Sequence, residues 1–186
     1  MQHAEAYKGV KRLRAGGAVV PDRAIREVKL QAKVVLVERR AVYLADPALP
    51  GRRTIDAVRP CLADWLGSRG YGLSYHATQV FTGHECFGEY LCRIGKETTT
   101  RCHHCDEGRA LAQHTLEFCP AWAELRRVLR EAVGDDLSLP AIVAAIVGRE
   151  QKWKAFLSYC GQVMSAKEDA KRIRRGKRAA PAVDPP

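Results

Sequence analysis

Aromatic residues make up only 7% of this 186-residue chain, and it has two methionines. No apolar run approaches the ~20 residues that a membrane helix needs, so no spanning segment is expected. The Walker glycine loop, the G-x-S-x-G elbow and the H-E-x-x-H pair are missing, which removes common routes to phosphoryl transfer, acyl transfer and zinc hydrolysis. Tyr43-Leu44-Ala45-Asp46 lacks the second aspartate of a polymerase strand and reads as a helix terminus. His84 beside Glu85 and Cys86 has no third orienting group in sequence, so it reads as a polar helix start with a partly buried thiol. No catalytic residue is assigned. The start of the chain, with His3 and Glu5, has no apolar signal core, and its cysteines are expected in a reducing, intracellular compartment.

The residues that are present read as a globular chain, 46% hydrophobic and 28% charged. Its net charge of +10 is unevenly placed. Residues 1–53 hold 12 Lys/Arg against 5 Asp/Glu, and residues 167–186 hold 7 against 3, whereas residues 54–166 hold 12 against 13. A polyanion such as RNA or DNA would meet the two ends first. The candidate phosphate contacts are Arg23, Arg26, Lys29 and Lys33 near the start, and Lys171, Arg172, Arg174, Arg175, Lys177 and Arg178 near the end. Solvated helix faces and a disordered tail are the competing reading of the same charges. Lys171 to Arg178 also has the composition of a nuclear import signal.

The stretch with the most chemistry is Cys102-His103-His104-Cys105, followed by His114 and Cys119, a C-x2-C-x8-H-x4-C spacing. Three thiols and one imidazole are the ligand count of a closed tetrahedral zinc site, which is structural because no position remains for water. Two intervening residues let Cys102 and Cys105 reach one ion from a tight turn. Residues five apart on a straight helix do not share a face, so a helix over Ala110 to Thr115 must end between His114 and Cys119. Pro120 then begins the next one. His103 or His104 could replace His114, although side chains between two ligands usually point outward. Seven cysteines leave one over in any disulfide scheme.

Along the chain the pattern is all-α, with about seven short helices, no repeat and no strand alternation. Residues 1–20 form a flexible or remnant segment broken at Gly16-Gly17. From Pro21, Ile25, Val28, Ala32, Val35 and Val42 recur at helical spacing between basic residues, predicting one long basic helix with its apolar side covered. Residues 21–101 form a helical region upstream of the zinc knuckle. In it Thr54 is the expected N-cap of a segment kinked at Pro60, Gly67 to Gly72 a turn, and Ser74 the cap of a helix ending at Gly83. Residues 102–165 hold the knuckle and the following helices. There Trp122, Leu125, Val128, Leu129 and Val133 form one apolar face, and Trp153, Phe156, Leu157 and Cys160 another. Residues 166–186 are expected to be a disordered basic tail.

Several phrases together carry a resemblance: Thr78-Gln79-Val80-Phe81-Thr82-Gly83-His84-Glu85-Cys86-Phe87-Gly88-Glu89-Tyr90-Leu91, Arg93-Ile94-Gly95-Lys96-Glu97, the cysteine-histidine spacing, and Cys119-Pro120-Ala121-Trp122. With Gly51-Arg52-Arg53-Thr54 and Pro60-Cys61-Leu62-Ala63-Asp64-Trp65, they resemble the C-terminal end of reverse transcriptase polyproteins of arthropod type-1 non-LTR retrotransposons, the clade with ribosomal-DNA inserters. The resemblance covers about residues 22–160. It implies a parent with an endonuclease and an RNA-directed DNA polymerase, neither of which lies in these residues, and a zinc knuckle formed by Cys102, Cys105, His114 and Cys119. The implied partners are RNA or DNA of the element and its target, and the upstream reverse transcriptase domain, with no membrane. Docking on the polymerase without nucleic-acid contact is the alternative. One departure is Glu85, where the pattern leads us to expect glycine.

Overall fold

A computed structural model describes residues 8, 9, 12, 15, 16, 21–68, 72–105 and 107–176. Most of the expected N-terminal segment, the centre of the Gly67 to Gly72 turn, and Lys177 and Arg178 lie outside the described residues. The described residues are helical with no strand, in the all-α class that the periodicity predicts. The chain divides into two compact units, residues 1–50 and 51–186.

The first unit contains one long helix, α1 (Asp22–Tyr43), followed by the Asp46 to Pro50 loop. Its apolar stripe is less covered than the sequence predicts. Ile25 is buried and Val28, Ala32 and Val35 are half-buried, but Val42 is 75% exposed. Leu30 and Val34 are also exposed, because they lie across the helix from that stripe. Apolar residues flank the basic row on both sides, so no single buried face can take them all.

The second unit holds eight α-helices among its described residues. They are α2 (Arg52–Val58), α3 (Leu62–Gly67), α4 (Tyr75–Thr82), α5 (Gly88–Arg93), α6 (Ala112–Glu117), α7 (Ala123–Val133), α8 (Leu139–Ile146) and α9 (Glu150–Arg174). Pro60 makes the predicted break, a 3-10 turn over Arg59–Cys61 between α2 and α3. Thr54 is not the cap: Gly51 is, with φ at 77°, and the Thr54 hydroxyl instead donates to the Phe81 carbonyl at 3.1 Å. Ser74 caps α4 as predicted, accepting from the Ala77 N–H at 3.2 Å, and Gly83 ends it in the left-handed region that glycine tolerates.

The spine of this unit is α9, packed on α4, α7 and α8. Ring contacts run from Trp65 to Phe81 and Trp153 at 5.6 Å each, and from Phe81 to Phe156 at 5.8 Å. Phe81, Phe156, Leu116, Ile142 and Ile146 are essentially inaccessible, each worth roughly 1.5–3 kcal/mol of burial. The helix does not stop where a tail is expected. Its stripe continues through Val163, Met164 and Lys167, all buried, so residues 166–174 are helix and Lys167 among them belongs to the core. Val128 is the exception on α7, half exposed beside the buried Leu129 and Val133.

Candidate metal centre

The centre is assembled from a closed loop and a helix that stops early. The Ala110 N–H donates to the Thr100 carbonyl and the Cys102 N–H to the Glu107 carbonyl, both at 2.7 Å, and the Thr100 hydroxyl donates to the Gly108 carbonyl at 2.7 Å. This loop rests on the start of α5, where a Cβ at Gly88 would lie 2.5 Å from the Thr100 oxygen, so only glycine fits. His114 stands in the first turn of α6. The N–H groups of Phe118 and Cys119 both fold back to its carbonyl, at 2.9 and 2.8 Å, which ends the helix and carries Cys119 off its axis. Pro120 then opens a 3-10 turn that leads into α7. The expected helix end between the last two ligands is therefore present, and it sets the geometry.

The four donor atoms, three sulfurs and one imidazole nitrogen, all lie within 4.8 Å of one another. Cys102 and Cys119 Sγ are 3.9 Å apart, and Cys105 Sγ is 3.2 Å from His114 Nε2. Tetrahedral zinc, with Zn–S of about 2.3 Å and Zn–N of about 2.0 Å, has ligand edges of about 3.5–3.8 Å. The observed spacings bracket that range, so the residues present fit such an ion. Cys102 and Cys119 are fully buried and His114 nearly so. Burial, followed by the neighbouring Cys102 and Cys105, pushes the Cys119 thiol up to about 12. Without an ion the Cys119 thiol keeps its proton, and an ion would bind there by displacing it.

Neither intervening histidine belongs to this cluster. His103 Nε2 is 2.6 Å from Glu97. His104 packs its ring 4.9 Å from Trp122 and is held neutral down to about 4, by burial first and then by Lys167, Arg174 and His103. Trp122 packs on the buried cluster of Cys102, Ala110 and Cys119.

Two buried cations surround the centre, and sequence reasoning missed both. Arg126 is 6% exposed; its Nε donates to the Leu116 carbonyl at 2.9 Å and its Nη2 to the Cys119 carbonyl, clasping the turn that holds the last ligand. Lys167 is 3% exposed, with its ammonium 5.5 Å from the Phe87 ring centroid and 6.0 Å from that of Trp122. Neither has a carboxylate partner among the described residues. Burial lowers the affinity of Lys167 for its proton, and the cysteines Cys102, Cys119, Cys86 and Cys105 oppose that. A divalent ion held by three thiolates and a neutral imidazole keeps one negative charge, which is the countercharge this ammonium lacks. The signal available in sequence was the run Cys160, Val163, Met164, Lys167, which continues the α9 stripe past the point where the tail is predicted to begin. Tyr159, also on that stripe, donates its hydroxyl to the Thr115 carbonyl at 2.7 Å and ties α9 to α6.

Protein-family models, curated proteins and solved structures give no match to this chain.

The predicted phosphate contacts have divergent fates. On α1, Arg23 pairs with Glu27 at 3.1 Å, while Arg26, Lys29 and Lys33 are exposed with no carboxylate partner among the described residues. On α9, Lys171 pairs with Glu85 at 3.2 Å, Arg172 with Asp169 at 3.2 Å, and Arg174 with Glu97 at 3.1 Å. Arg175 donates to the Lys96 carbonyl at 3.4 Å. Among the described residues of the C-terminal cluster, each of these cations is engaged within the unit. Among the described residues, no helix is long and apolar enough to cross a membrane.

Proposed function

We propose that the chain is the noncatalytic, zinc-stapled, nucleic-acid-binding part of a longer non-LTR retrotransposon polyprotein, one that copies element RNA onto nicked chromosomal DNA. In this reading the ion is zinc, the cell compartment is the nucleus, and the upstream reverse transcriptase is the covalent partner. The resemblance of the phrases around the cysteine-histidine spacing supports the family. The donor geometry supports a closed structural site over a catalytic one.

The observation that carries nucleic-acid binding is the row Arg26, Lys29 and Lys33. Steps of three and four residues put these cations on one face of α1, exposed and uncompensated. The test is fluorescence anisotropy of labelled single-stranded RNA and duplex DNA against salt. Replacing all three by alanine is expected to lower the slope of log K on log salt by about 2–3, near 0.7–0.9 per lost phosphate contact. An unchanged slope, or no binding near 100 mM salt, would overturn the reading.

A second reading, docking on the polymerase, is favoured by one observation on the same helix: Leu30 is 64% and Leu36 59% exposed. A salt-insensitive complex with the polymerase domain, lost in Leu30→Glu/Leu36→Glu, would establish it.

A further inference from the structure

Apart from the metal centre, two clefts among the described residues of the second unit can be compared, and their charges differ. One, of about 370 Å³, is lined by Tyr75, Lys171, Arg172 and Arg175, but Glu85 and Glu168 share it and pair with Lys171 and Arg172. The other, of about 340 Å³, lies among the start of α2, the end of α4, α5 and the start of α6. Arg52, Arg53 and Arg93 line it, with Gly83, His84 and Tyr90. Its one acidic residue, Glu89, is engaged by Arg109 at 2.8 Å.

This second cleft combines an aromatic wall with positive charge: Arg52 is paired with Asp56, which leaves Arg93 and Arg53 facing the cleft. The rings of His84 and Tyr90 lie 4.6 Å apart at 33°, and the Arg93 guanidinium sits 5.4 Å from the Tyr90 centroid. His84 is exposed and Tyr90 half-buried, so the wall is open to a ligand. Arg93 has no carboxylate partner among the described residues. Arg53 spends two nitrogens on the fold, donating to the Val80 carbonyl at 3.3 Å and to Gln113 Oε1 at 3.1 Å, while its Nη2 is buried with no acceptor. Flat rings take a base, which every nucleotide offers, and guanidinium groups take phosphate. A volume near 340 Å³ is at the small end of ligand sites.

We propose that this cleft holds one unpaired nucleotide of a nucleic-acid strand, its base against the His84–Tyr90 wall and its phosphate at Arg93, with the charge of Arg53 in the same lining. The proposal rests on the nucleic-acid reading for the source of the nucleotide, but the cleft can be tested separately. An acidic peptide is the competing ligand; it would use the arginines and leave the wall idle.

The test is NMR on the metal-loaded full chain, with adenosine monophosphate, inorganic phosphate, an acidic peptide and a single-stranded RNA of about ten nucleotides added separately. Adenosine monophosphate and RNA are expected to shift signals at His84, Tyr90 and Arg93. Tyr90→Ala should weaken the mononucleotide about tenfold and leave bound metal unchanged, with Tyr90→Phe restoring it. Cleft shifts with the mononucleotide but no RNA binding would keep the cleft as a free-nucleotide site and discard the nucleic-acid reading. RNA binding with a silent cleft would overturn the cleft and leave α1 as the binding face. Equal shifts from inorganic phosphate or acidic peptide, insensitive to Tyr90→Ala, would also overturn it, as would no shift from any probe.

Discussion

Helices α1 and α9 carry the same formal charge, six Lys/Arg against three Asp/Glu in each, and they use it in opposite ways. On α1 the cations at 26, 29 and 33 are exposed with no carboxylate partner among the described residues, so their charge is available to something outside the chain. On α9 every cation from Lys167 to Arg174 is spent within the unit, one buried over aromatic rings and three in ion pairs. Charge counted along a sequence therefore says where a polyanion would be attracted, but not whether the cations are free to meet it. What separates the two helices is the metal centre: α9 passes beside it and α1 belongs to the other unit.

The strongest way to break the comparison is to deny the cluster an ion. A structural zinc supplies roughly 10–16 kcal/mol of apparent binding free energy. Chelation, or His114→Ala, is expected to abolish one-to-one metal stoichiometry and to speed hydrogen exchange along α9 by orders of magnitude. Exchange in α1 should not change. Equal loosening of both helices would show that the two units fold as one.

The next effect isolates the buried ammonium. Lys167→Met keeps an unbranched chain against Phe87 and Trp122 and deletes only the charge. Metal affinity, read by competition with a chromophoric chelator, is expected to fall about 10- to 100-fold, the usual cost of losing a supporting group outside the ligand shell. Lys29→Met, the same change on α1, should leave affinity alone and move stability by less than about 0.5 kcal/mol. If Lys167→Met bound metal as tightly as wild type, the countercharge argument would fail.

A smaller effect concerns the clasp at the end of α9. Glu97 accepts from Arg174 at 3.1 Å and lies 2.6 Å from His103, joining that helix to the segment before Cys102. Burial alone would raise its pKa, but the bonds to His103 and Arg174 outweigh that and hold it below the ordinary 4.5. Because the folded value is depressed, the clasp contributes fully above pH 4.5 and is lost as pH falls through the folded value. Glu97→Gln is expected to cost about 1–2 kcal/mol near neutrality. The difference from wild type, followed by denaturant unfolding, should shrink as the solution is acidified. A pH-independent difference would mean that the carboxylate contributes shape and not charge.

The sequence shows the metal centre more plainly than it shows the helix that supports it. Ligand spacing is a local property, and the C-x2-C and H-x4-C intervals with Pro120 already require a turn, a short helix and a restart. Caps are local too, which is why Ser74 and Gly83 could be read directly. Thr54 misled because its hydroxyl has a better partner 27 residues away, on Phe81, that local pattern does not reveal. Lys167 misled more seriously. A lysine at the head of a basic run reads as solvated, and only tertiary packing shows it sealed under Phe87 and Trp122. The apolar face of α1 could not be resolved for a related reason: periodicity identifies a stripe but not what covers it.

The smallest predicted effect concerns a residue that the resemblance singles out. Glu85 stands where glycine is expected, and it is the one non-glycine among the described residues with positive φ, at 74°. A side chain in that region costs roughly 1–2 kcal/mol of backbone strain, partly offset here by the 3.2 Å ion pair with Lys171. With Lys171 mostly buried and Glu85 half exposed, a pair of this kind contributes about 1 kcal/mol. Two substitutions separate the terms. Glu85→Ala removes the pair and keeps the strain, so it should destabilise slightly. Glu85→Gly removes both, and should be more stable than Glu85→Ala by about 1 kcal/mol, the reverse of the usual order, in which glycine is the less stable. If alanine were the more stable of the two, the turn would not be strained at this position. The ion pair to α9 would then be the whole of what Glu85 contributes, one more α9 cation spent inside the fold.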